Sequence, residues 1–193
     1  DIELQIRLKE AQLEPYRRKL GDLEQKRRSL GAASDAETVK KVAGQINAFK
    51  AEICKREAEI FRLKTQLNPD DNAAHFDLGY RLLQLAQLDD AIKELQKGRG
   101  DVQRKWQALC YLGIAFWRKK NFPLAERNLA EALEHVGSNE ENKQEVLYYR
   151  GRVAQDLGDA AKALESFNDI AAIDYEYKDV ARRIDEINAA QTQ

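Results

Sequence analysis

The side chains able to act as nucleophiles, general acids or metal ligands are few in this chain and far apart. Two histidines, His75 and His135, and two cysteines, Cys54 and Cys110, are the candidates. A thiol or hydroxyl nucleophile needs a base beside it, and a metal needs several such ligands at close spacing. Neither histidine neighbours a Cys or Ser in a nucleophile pattern, and no Gly-rich phosphate loop or metal-spaced cluster occurs. His75 falls at a packing position of a helical pattern and His135 near the end of a polar-faced helix, so both read as structural. Tyr175 and Tyr177 read as packing groups rather than acid catalysts. The cysteines lie in separate helical patterns and read as small buried hydrophobes in a reducing compartment. The expectation is a non-enzymatic chain with no catalytic residue, no cofactor and no metal.

Such a chain uses its residues to position surface. The 193 residues are 43% hydrophobic and 34% charged, with 3 Pro and a mean hydropathy of -0.68, which describes a charge-rich helical chain. Aromatics at 8% and a scarcity of β-branched runs leave no need for a strand, so the fold class is all-α. Net charge is -1 but unevenly spread: residues 1–67 carry 15 Lys and Arg against 11 Asp and Glu, the remainder 17 against 22. Neither half has the strong single-sign field of a phosphate-backbone binder, so nucleic acid is disfavoured as a partner; binding through the basic half would show as salt-sensitive retention. Runs such as Arg17-Arg18-Lys19 and Lys26-Arg27-Arg28 solvate an outer helix face. No apolar stretch approaches the roughly 18 residues of a membrane span, and no signal-peptide pattern is present. The chain has no Met and opens inside a helical pattern, so it reads as an excerpt: cytoplasmic, or the cytoplasmic part of a longer or membrane-anchored protein.

Two long amphipathic helices fill residues 1–67. Ile2, Ile6, Leu13, Tyr16, Leu20, Leu23 and Leu30 form a heptad seam that keeps its phase across Pro15, which predicts a kinked helix, with a break at Glu14 as the alternative. Gly31 is placed to end this helix, and Ser34 with Glu37 reads as a capping box. A second seam from Val39 and Val42 through Ile46, Phe49, Ile53, Ile60 and Leu63 to Leu67 predicts a helix over 36–67, about 48 Å long. A short turn folds the two into an antiparallel, coiled-coil-like hairpin. Its predicted contact residues are Leu13, Leu20 and Leu23 on one arm and Ile46, Phe49, Ile53 and Ile60 on the other. Such stripes either satisfy each other, making a rigid spacer, or leave apolar flank for a second copy or a partner.

Beyond Asn68-Pro69, Gly79, Gly113 and Gly151 are each followed twelve positions later by Ala91, Ala125 and Ala163. Aligning on the glycines gives units at about 72–105, 106–139 and 144–177 within a region 68–193. The first unit carries Leu78, Gly79, Leu82, Ala91 and Leu95; the second Leu109, Leu112, Gly113, Phe116, Ala125, Leu129 and Ala132; the third Leu147, Gly151, Ala163 and Phe167. This pattern resembles the tetratricopeptide repeat. Arg150 stands where the pattern has Leu, Gly98 and Ile170 replace its last Ala, and the closing Pro is absent throughout. Gly113 and Gly151 are four residues further apart than one repeat, and the excess is assigned to a polar loop within Gly137 to Lys143. The resemblance implies a right-handed α-solenoid of three helix pairs, closed by a capping helix at 178–190 on which Val180, Ile184 and Ile187 form the apolar stripe.

In that family the first helix of each pair lines a concave groove. A face at i, i+4, i+7 comprises Phe76, Tyr80 and Leu83, then Cys110, Ile114 and Trp117, then Tyr148, Arg152 and Gln155. Of these, Phe76, Tyr80, Leu83, Ile114, Trp117, Tyr148 and Arg152 are the candidate partner-binding residues, suited to a helix or extended segment with apolar anchors. The same stripe could instead be covered by the hairpin or a neighbouring subunit, or belong to the core between repeats. The groove positions where some family members clamp a carboxylate hold Phe76, Tyr80, Tyr111, Glu145 and Tyr149, which disfavours that partner class. The resulting expectation is a scaffold or adaptor that binds a protein or peptide in its groove and uses residues 1–67 for oligomerisation or spacing. The alternative is a regulatory or targeting segment of a larger enzyme or membrane-associated complex.

Overall fold

A computed structural model describes residues 1–30 and 35–191, and these are helical with no strand among them. Two long helices, α1 (Ile2–Ser29) and α2 (Ala36–Leu67), precede three shorter pairs: α3 (Asn72–Gln84) with α4 (Leu88–Gly98), α5 (Lys105–Arg118) with α6 (Phe122–His135), and α7 (Glu140–Leu157) with α8 (Ala160–Ala171). A final helix, α9, spans Val180–Gln191. Each helix packs chiefly on the one before and the one after it in the chain, which is the arrangement of an α-solenoid.

The first two helices run antiparallel, as the ion pairs Lys9 with Glu59, Arg17 with Glu57 and Lys50 with Glu24 require. Between them Ile6, Leu13, Ile53 and Ile60 form one buried cluster and Leu23, Val42 and Ile46 another. Helix α1 continues through Pro15 as a single element. A mid-helix Pro costs about 3 kcal/mol, and packing on both sides of it offsets that: Leu13 is 1% exposed, and the Tyr16 ring lies beneath the Arg56 guanidinium at 4.0 Å. The Gly31 and Ser34 expectations fall outside the described residues. The cap of α2 is supplied by Asp35, whose carboxylate accepts from the backbone N–H groups of Glu37 at 2.8 Å and Thr38 at 3.0 Å.

Helix α2 has two apolar faces. One meets α1; the other carries Cys54, Ala58 and Phe61 onto α3, where Ala58 and Phe61 join the principal core with Leu78, Leu82 and Leu83. The Cys54 thiol lies 3.5 Å from the Arg81 carbonyl and 3.3 Å from Gln84 Oε1. The hairpin therefore docks on the first pair as a preceding pair would.

Inside the three pairs the glycines are occupied by a partner side chain sixteen residues on. A Cβ on Gly79 would meet Leu95 Cγ at 2.7 Å, on Gly113 Leu129 Cγ at 2.6 Å, and on Gly151 Phe167 Cε1 at 2.5 Å. Ala91, Ala125 and Ala163 are fully buried on the same helices. Gly98, a departure from the repeat pattern, has its own cause: a Cβ there would lie 2.8 Å from Phe76 Cα, so not even Ala fits. Each pair also turns through a left-handed residue seven positions after its glycine, at Ala86 (φ 59°), Lys120 (φ 60°) and Gly158 (φ 78°).

One loop expectation is corrected. The four excess residues of the third unit lengthen α7, which begins at Glu140, so that Glu140 to Lys143 are helical and not loop. The Asn139 side chain caps it by accepting from Asn142 N–H at 2.9 Å, and Glu140 and Glu141 complement the helix dipole in the first turn.

Candidate protein-binding groove

The first helices of successive pairs touch, α3 with α5 and α5 with α7, whereas the second helices show no comparable contact. Elements that converge on one side and splay on the other bend the array, so α3, α5 and α7 line its inner edge. The side chains that bridge them are aromatic. Tyr80 of α3 stacks on Tyr111 of α5 with centroids 4.7 Å apart, and Trp117 of α5 meets Tyr149 of α7 at 6.2 Å. Trp117 Nε1 donates to Asp156 Oδ2 at 2.7 Å, while the Arg152 guanidinium lies over the indole at 4.9 Å. Offset rings held by such contacts present large rigid surface that loses little entropy when a ligand covers it.

The candidate residues divide by burial. Tyr80, Trp117 and Arg152 are half-buried along this inner edge. Phe76 (6% exposed), Leu83 (5%), Ile114 (8%) and Tyr148 (7%) are buried between helices: Phe76 packs with Leu95, Ala108 and Leu112, and Tyr148 with Phe167 and Val180. Cys110 is fully buried, and Gln155 accepts from Arg183 at 2.7 Å. The hairpin residues Leu13, Leu20, Leu23, Ile46, Phe49, Ile53 and Ile60 all lie in the seam between α1 and α2.

Tyr111, Tyr149 and Glu145 complete the inner row, and the i, i+4, i+7 reading passed beside them. One residue along a helix is a rotation of about 100°, and alignment on the glycines does not say which of Cys110 and Tyr111, or of Tyr148 and Tyr149, faces the groove. The signal was their occupation of the clamp positions. Burial, then the charge of Glu145, raises the Tyr111 and Tyr149 phenols above their ordinary value, and the same causes push Tyr177 up to about 12. The buried Cys110 thiol is likewise pushed up, by burial and then by Glu145, so it is not a poised nucleophile. His75 is 3% exposed; its Nε2 donates to the Pro69 carbonyl at 2.9 Å and its Nδ1 faces Glu94, which ties the junction after α2 to α4.

No family model matches the chain, and no curated protein matches it. Among solved structures it is similar to the crystal structure of MamA, a tetratricopeptide-like helical protein, with a TM-score of 0.64 and 16% identity over 76% of this chain and 84% of that one. That coverage exceeds what α3 to α9 alone contain, so the likeness extends into the hairpin. At this identity the likeness concerns the fold: a tetratricopeptide-like α-solenoid.

Proposed function

We propose that the protein is a non-enzymatic interaction scaffold whose inner row of aromatic side chains captures a segment of a protein partner, with the α1–α2 hairpin serving as a spacer or self-association arm. The observation that carries this reading is the run of rings across the first helices of the three pairs, Tyr80 on Tyr111 and Trp117 on Tyr149. Buried core alone does not require partly exposed aromatics aligned along the concave edge. The fold type supports it, since solenoids of this kind commonly present one extended surface to another chain. The alternative, a regulatory or targeting segment of a larger assembly, uses the same surface and differs only in what is attached. The test is affinity capture from source lysate with the intact chain and with a Tyr80→Ala, Trp117→Ala double variant. The variant should retain its helicity and lose the captured partner at least about tenfold, as expected for two aromatic anchors; undiminished capture would reject the groove. Light scattering of the intact chain over a concentration series decides between self-association and spacing.

A further inference from the structure

The end of the inner row carries a cation seated on aromatic faces. Lys178, in the turn between α8 and α9, places Nζ 4.3 Å from the centroid of Tyr148, 4.8 Å from Tyr177 and 5.3 Å from Tyr149. The rings hold this arrangement themselves: Tyr148 meets Tyr149 edge-on at 5.5 Å and Tyr177 edge-on at 6.2 Å. The Tyr148 hydroxyl is fixed by donating to Asp179 Oδ1 at 2.9 Å. Glu145, half-buried on α7, supplies negative charge felt by Lys178 and by Tyr149 and Tyr177. Three ring faces form a seat for an ammonium group, because the ring quadrupole favours positive charge where water is partly excluded, and the charge of Glu145 on α7 acts in the same direction.

The turn that presents this lysine is left-handed, as are those at Ala86 and Lys120. Lys178 has φ of 50°, a left-handed conformation that a side chain with a Cβ adopts with strain. We infer that this aromatic seat, with Arg152 and Arg183 also over the Tyr148 ring at 5.8 Å and 6.0 Å, is a lysine-binding subsite of the groove, and that Lys178 occupies it in the free chain as an internal competitor of a lysine carried by the partner segment. The inference rests on the groove reading above and adds the chemistry of one anchor. The acidic balance of residues 68–193 favours such a basic ligand. Tethering gives Lys178 an effective concentration in the millimolar range, so an isolated lysine competes poorly, whereas one delivered within a docked segment gains the same advantage.

The test needs no partner. Nα-acetyl-lysine amide is titrated into the wild type and into Lys178→Gly while ring resonances of Tyr148, Tyr149 and Tyr177 are followed by NMR. Gly suits the backbone at this turn; Lys178→Asn, which also tolerates it, provides a second emptied site. Both emptied variants should bind the lysine amide about tenfold more tightly than the wild type, Nα-acetyl-norleucine amide should not bind, and adding Glu145→Gln should weaken the response. Equal responses from wild type and emptied variants, or equal binding of norleucine and lysine amides, would overturn the subsite. Loss or retention of partner capture in the Tyr80 and Trp117 variant leaves this titration unaffected, so the two readings fail separately.

Discussion

A single methyl group separates two kinds of glycine in this protein. Gly79 has no room for a Cβ, which would lie 2.7 Å from Leu95 Cγ and 2.9 Å from the Leu95 backbone nitrogen. Gly44, inside α2, has nothing within 4 Å. Gly79→Ala therefore forces α3 and α4 apart and should destabilise by about 1–3 kcal/mol, more than the helix-propensity gain of about 1 kcal/mol can offset. Gly44→Ala receives that gain without the clash and should stabilise by about 0.5–1 kcal/mol. Denaturant midpoints of the two variants check the contrast; if both shift in the same direction, the close approach is not what glycine serves at position 79. The sequence shows that a small residue recurs, but not what fills the gap, because the filling side chain is sixteen positions away and its reach depends on the helix crossing.

At the scale of the element, the docking of α9 depends on a charged cluster at its start. Asp179 accepts from Tyr148 of α7, from Arg183 Nε at 3.0 Å and from Arg182 at 2.8 Å. Burial opposes its ionisation, but the hydrogen bonds and charge of Arg183, with Tyr148 and Arg182, prevail and hold its carboxyl well below the usual range. A depressed folded pKa contributes stability above the unfolded carboxylate value near 4 and loses it as pH falls further. Asp179→Asn should then cost about 1–2 kcal/mol at neutral pH, and the gap between wild type and variant should narrow below about pH 4; a gap constant from pH 6 to pH 3 would contradict this. Helix limits were the most legible part of the chain. The reading of 36–67 matches α2 to the residue, because its seam is long and a proline closes it. The added turn of α7 was hidden in a polar stretch that suits a loop as well as a capped helix. Nothing in Ala86 or Lys120 announces a positive φ; the packing of each pair imposes it. The groove was legible as a set of helices and not as a face, since Cys110 and Tyr111 differ only in rotation.

In the molecule as a whole, the hairpin and the repeats are joined through Glu57. Its carboxylate receives Arg17 of α1 at 2.9 Å and Arg81 of α3 at 2.6 Å, so three helices meet on one side chain that is 14% exposed. Glu57→Ala leaves both guanidiniums without this partner and should destabilise by about 1–3 kcal/mol, with hydrogen-exchange protection falling in α1 and α2 more than in α7 and α8. Equal loss of protection along the chain would mean that Glu57 does not act as the joint. Beyond such joints, cohesion passes chiefly from each helix to its neighbours, with lighter contacts from α3 to α5 and from α5 to α7. An array built this way bends like a leaf spring: no rigid centre fixes its arc, and small rotations at successive seams add along its length. The stacked pair of Tyr80 and Tyr111 spans one seam of that spring, so a segment docked there as proposed would also fix the curl at that seam.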